Sequence, residues 1–237
     1  MSSDNDNKEN LEQSVLDYAH KGIKTGIAIS PLPFAGGIAE VFATVFGPPI
    51  QKRRDALLKE VYSDIKQLET KVEGLKFENL AQNEVFISTL LHASQIAMRT
   101  NEQRKIEALR NALINTALIP TMDENLRIIF LNIIDRYSPW HLMLLQFFAS
   151  PKQFFIDRHI PLPQIYSGGM ASIIKPAFHE IKGIEKLFIQ IGKEMISDGL
   201  LTEGMYLEGA MSESGLYAPR TTELGKQFLA FITTTTK

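Results

Sequence analysis

The stretch Thr25–Ile50, TGIAISPLPFAGGIAEVFATVFGPPI, decides whether the chain folds around its own helices or against a bilayer. Glu40 is its one charged side chain, and it is bracketed by Lys24 on one side and Lys52, Arg53 and Arg54 on the other. A helix that crosses a bilayer needs roughly 20 predominantly apolar residues. The segment is long enough in total, but Pro31 and Pro33 divide it. Each proline lacks an amide donor and disfavours helical geometry in the residue before it. Gly47-Pro48-Pro49 then closes the second half. Each half is too short to span as a straight helix, so a helical hairpin is predicted, buried or re-entrant. Ile27, Ile29, Phe34, Val41, Phe42, Val45 and Phe46 are the side chains it would offer to a membrane or to another subunit. Lys52, Arg53 and Arg54 would suit an anionic lipid surface, at about 1 kcal/mol per basic residue. The same segment is equally able to pack into the chain's own helical core, and both alternatives stand open here.

Toward the N-terminus, residues 1–10 are acidic and polar and predict a disordered tail, unlike the basic-then-apolar start of a secretory signal. Residues 11–50 are predicted to form the apolar hairpin. Toward the C-terminus the pattern becomes that of an ordinary helical protein. From about Pro49 to Val72, Ile50, Leu57, Val61, Ile65, Leu68 and Val72 make one narrow apolar stripe on a charged helix, with Gly74 as its stop. Helices at about 83–99 and 102–118, joined at Thr100-Asn101, predict an antiparallel pair. Asp123–Tyr137 is apolar nearly all round and is predicted to sit within a core. Residues 51–137 are therefore taken as a helical bundle.

Ser138-Pro139 has the form of an N-cap followed by a first helical position. After the helix it opens, Pro151–Gly169 is rich in proline and glycine and predicts an extended connection. Helices at about 170–181 and 184–198, a β-hairpin over Leu200–Ala218, and a closing helix at about 221–232 complete a second region, 138–237. The expected fold class is mainly α, a multi-helix N-terminal assembly plus a C-terminal domain with a small β-hairpin.

Two resemblances follow from these residues. Ser197-Asp198-Gly199-Leu200-Leu201 and Thr222-Glu223-Leu224-Gly225-Lys226-Gln227-Phe228-Leu229 resemble the end of the third helix and the start of the closing helix of winged-helix domains. That resemblance implies a third helix exposing Lys186, Gln190 and Lys193 to DNA, if the domain binds DNA. The mixed charge of this helix, with Glu185 and Glu194, matches a phosphate-tracking surface poorly. The layout as a whole is similar to that of bacterial abortive-infection α-helical proteins. The comparable pieces are an apolar glycine-containing segment (Gly22–Ile50), a charged helix (Pro49–Val72), a helical pair (Asn83–Leu118) and Ser138-Pro139-Trp140. This second resemblance implies a role in phage defence through host-cell arrest.

Composition narrows the chemistry. The 237 residues carry a formal charge of −2, and residues 138–237 balance at zero, so no strong single-sign field draws nucleic acid to the chain. Cysteine is absent, which removes disulfides, thiolate metal sites and thiol nucleophiles. The five histidines, His20, His92, His141, His159 and His179, include no pair at helical i, i+4 spacing. Asp135, Tyr137 and His141 are close enough in sequence to form a polar network at a helix junction, with anchoring the simpler role. Neither a nucleophile elbow nor a phosphate-binding glycine loop is found. No catalytic residue, metal or cofactor is expected. The function expected is a non-enzymatic protein acting through membrane or protein contacts, cytoplasmic or peripheral at the inner membrane face. A homo-oligomeric scaffold and a winged-helix transcriptional regulator are the alternatives.

Overall fold

A computed structural model describes residues 49–119, 121–179, 185–202 and 209–234. The candidate contact residues Ile27, Ile29, Phe34, Val41, Phe42, Val45 and Phe46 lie outside them. The chain divides into two compact units between Asn132 and Ile133. The described residues are mainly helical with one small antiparallel sheet.

In the first unit, α1 (Pro49–Leu68) packs against the antiparallel pair α3 (Glu84–Arg99) and α4 (Gln103–Leu118). Leu57, Val61, Ile65 and Leu68 of the apolar stripe are buried, joined by Leu58 and Tyr62. Val72 departs from the stripe: α1 ends at Leu68 and the chain turns through Gly74 at φ 82°, leaving Val72 exposed. Ala93, Ala97, Ala108 and Ala112 are buried with Phe86, Leu90, Leu109 and Leu113, so small side chains allow close approach while large ones supply the apolar area. Each large apolar side chain so buried is worth about 1.5–3 kcal/mol.

A four-residue helix, α2 (Phe77–Leu80), brings Phe77 edge-on to Tyr62 at 4.8 Å. The charged side of α4 is partly covered. Lys105 is buried, and Arg110 makes a bidentate pair with Asp64 of α1, at 2.5 and 2.6 Å. Along α5 (Glu124–Arg136) Phe130, Leu131, Ile133 and Ile134 are buried, but Ile128 and Ile129 remain 45% and 48% exposed. The all-round core helix expected from its composition is thus half right: one face is buried and one is not.

The second unit is built on α6 (Pro139–Ala149), whose Leu142, Leu144, Leu145, Phe147 and Phe148 are buried. Ser138 caps it in a reciprocal box with His141, and Pro139 takes the first position, where its missing donor is not needed. The extended connection expected after it begins instead with a helix, α7 (Pro151–Asp157). Phe154 and Phe155 of α7 bury against Phe147, with ring centroids 5.3 and 6.2 Å away, and that apolar anchor outweighs the local proline content. The strand β1 (Ser167–Gly168), α8 (Ala171–Ala177), α9 (Glu185–Ser197), the strand β2 (Met211–Ser212), α10 (Glu213–Leu216) and α11 (Glu223–Ile232) follow.

The hairpin expected over Leu200–Ala218 takes another form. β2 pairs antiparallel with β1, Ser212 opposite Ser167, while Leu201 bridges Thr221 and the Thr202 amide donates to Arg220 O at 2.9 Å. Between them lies α10, capped by the Ser212 hydroxyl. Buried Arg220 organises this region. Its guanidinium donates to Leu216 O, Ala218 O and Gly215 O, and its amide donates to Phe148 O at 2.8 Å. Among the described residues no helix is long and apolar enough to cross a membrane.

Candidate functional site

The candidate interaction surface is the exposed face of α9. Lys186, Gln190 and Lys193, at i, i+4 and i+7, are all exposed and share one side of the helix. Glu194 adjoins them: the Gln190 amide donates to its Oε1 at 2.9 Å, and His141 Nε2 lies 2.9 Å from its Oε2. The Ser138 amide can only donate, and it meets His141 Nδ1 at 3.2 Å; Nδ1 is therefore the acceptor and Nε2 carries the proton given to Glu194. The Gln190 bond first, and the His141 bond second, hold the Glu194 carboxyl below the usual range, so it stays ionised.

A second clamp lies beside the first. Tyr137 stacks on the His141 ring, centroids 4.4 Å apart. Its hydroxyl donates to Asp198 Oδ2 at 2.6 Å, and Arg136 donates to the same oxygen at 2.6 Å. Burial foremost, then the Asp198 bond, pushes the phenol well above its ordinary value, so Tyr137 stays a neutral donor. Both nitrogens of His141 are engaged, and the hydroxyl of Tyr137 is committed. The arrangement therefore fixes α9 against the start of α6. Tyr137 and His141 were legible as network members; their carboxylate partners, Glu194 and Asp198, were not, because they lie 53 and 61 positions away.

The three side chains of the basic triplet are not equally exposed. Lys52 and Arg53 are exposed, whereas Arg54 is half-buried with its Nε 3.3 Å from Asp55 Oδ1. Consecutive helical positions point in different directions, which separates the three charges.

Two cavities adjoin the helices. One, of about 320 Å3 in the second unit, is lined by Trp140, Met143, Phe178, His159, His179 and Arg158, among others. The neighbouring charges are already engaged: Asp157 accepts from Gln153 at 2.6 Å, and Arg158 lies 4.3 Å over the Phe154 ring. The other, of about 210 Å3 in the first unit, lies between α3 and α5 and includes Arg127 in its wall. Among the described residues no group of three His, Asp or Glu side chains could hold a metal ion. No family model, no curated protein and no solved structure matches the chain.

Proposed function

We propose that the chain is a non-enzymatic α-helical contact protein whose second unit is a winged-helix-like module used against a protein or membrane surface. The observation that carries this reading is the ionised Glu194 carboxylate, held by Gln190 and His141 in the face that also bears Lys186 and Lys193. A fixed negative charge there opposes duplex phosphates, whose binding depends on clustered cations. The order of helices and strands after Ser138, with β1 pairing to the chain that returns after α9, supports the winged-helix-like layout. The sequence resemblance to abortive-infection α-helical proteins makes phage defence the proposed setting, with the apolar Thr25–Ile50 segment as the element that would meet a bilayer or a second subunit.

Titration of the full-length protein against labelled random duplex DNA at low salt tests the contact reading, with flotation on anionic liposomes alongside. No retention of DNA is expected. Co-flotation that Phe42→Asp with Val45→Asp abolishes would assign the contact to the membrane. Tight, salt-dependent DNA binding lost in Lys186→Glu with Lys193→Glu would establish the regulator instead.

A further inference from the structure

Among the described residues, the first unit contains a buried cation that is incompletely paired. Arg127 is 2% exposed. Its Nη2 donates to Met122 O at 3.1 Å, while its Nη1 is buried and has no hydrogen-bond partner. No carboxylate among the described residues lies within ion-pair distance of it. Asp123 and Glu124 act on its charge only through space, against the burial that disfavours it. A buried charged donor without an acceptor is costly, and such groups in native proteins call for a partner.

The space beside it is suited to one. Ser88, Thr89 and His92 of α3 line the cavity together with Glu124, Arg127, Ile128 and Leu131 of α5. About 210 Å3 is room for roughly seven waters at ~30 Å3 each. One part of the wall is polar and cationic. Ser88 and Thr89 now spend their hydroxyl protons on Val85 O, at 3.1 and 2.7 Å, and a hydroxyl can turn toward a stronger acceptor. The other part, Ile128 and Leu131, is aliphatic. Glu124 adds a negative charge to the same wall, which penalises a dianion more than a monoanion.

We propose that the cavity between α3 and α5 is a binding site for a small monocarboxylate, its carboxylate on Arg127 and its short aliphatic chain against Ile128 and Leu131. A planar carboxylate matches the guanidinium edge, and the bond is charge-assisted. Ser88 and Thr89 flank the carboxylate, and Glu124 selects against a second negative charge.

The test is a titration of 15N-labelled full-length protein with butyrate, with butanol and inorganic phosphate as separate arms. Saturable amide shifts confined to residues 88–92 and 124–131 are expected with butyrate, with neither butanol nor phosphate reproducing them. Arg127→Met should weaken butyrate by about tenfold or more, the scale of a lost hydrogen bond to a charged group. Because that variant could also perturb folding, Glu124→Gln provides an independent reading: removing the like charge should tighten butyrate by about twofold to threefold. Absence of saturation by butyrate, equal affinity in Arg127→Met, equal or stronger binding of phosphate, or unchanged or weaker butyrate binding in Glu124→Gln would each overturn the proposal.

Discussion

Two helices of the second unit end in the same backbone figure with different residues at its key position. At the end of α7, His159 has φ 55°, its amide donates to Ile156 O at 3.0 Å, and the Ile160 amide reaches back to Phe155 O at 2.9 Å. At the end of α9, Gly199 has φ 73°, its amide donates to Ile196 O at 2.9 Å, and the Leu200 amide reaches Met195 O at 2.9 Å. Both are the paired 6→1 and 5→2 bonds that satisfy the last carbonyls of a helix. Glycine adopts this left-handed geometry freely, whereas a residue with a Cβ does so at a cost of roughly 1–2 kcal/mol.

The ends differ in what is stacked on them. The Thr222 hydroxyl donates to Gly199 O at 2.6 Å and accepts from the Gly225 amide at 3.0 Å, and the Thr222 amide donates to Leu200 O at 3.0 Å. The start of α11 is thereby locked onto the end of α9. The α7 end has an exposed histidine at a cavity rim. The α9 end, with glycine, receives the start of α11 on its last turn; the α7 end, with histidine, faces open space.

The largest test of that contrast is Gly225→Ala. The added Cβ would stand 2.1 Å from Leu200 O, a backbone atom that cannot swing aside, so the lock must open. A loss of about 3 kcal/mol or more is expected, read as a lower urea midpoint. Gly199→Ala should cost roughly 1–2 kcal/mol by the same measurement, because the strain is conformational and the nearest side-chain atom, Leu224 Cδ2, is 3.7 Å away. His159→Gly should move the other way, stabilising by up to about 1 kcal/mol after the extra freedom of glycine in the unfolded chain is discounted. Loss of stability in that variant would mean that the imidazole earns its place through contacts, and the two ends would no longer be equivalent.

The smallest effect is acid-dependent. Glu194, one turn before the α9 end, has its native pKa lowered chiefly by Gln190 and then by His141. Its contribution is therefore present above the ordinary glutamate value, about 4.3, and is lost as pH falls through the lower native value. The difference in urea midpoint between wild type and Glu194→Gln should hold steady from neutral pH to about 5 and shrink below it. A difference that grew toward acid would mean that Glu194 is destabilising where it stands.

The same contrast separates the features that the sequence carries openly from those it does not. Ser197-Asp198-Gly199 and Thr222-x-x-Gly225 announce their structure because capping and left-handed geometry select particular residue types. The end of α7 carries no glycine, so only the backbone bonds at His159 reveal it. Periodicity located α3 and α4 closely and the buried stripe of α1, since spacing along one helix is local information. It could not place the exposure of Ile128 and Ile129, which depends on how much of α5 its neighbours cover. Nor could it single out Glu194 as the partner of His141, Asp198 as the partner of Tyr137, or Arg127 as a buried cation. Those features are set by approach between distant segments, which leaves no pattern in adjacent residues.

The two-residue pairing of Ser167–Gly168 with Met211–Ser212 has a kinetic consequence. Bringing together segments separated by roughly 45 residues carries a loop-closure cost that so short a ladder cannot repay alone. The pairing is therefore expected to form after α6, α9 and α11 have assembled, as a late step in folding. The same order run backward makes this sheet the place where the second unit opens first, with the Gly168 and Met211 amides exchanging with solvent well before those of α6.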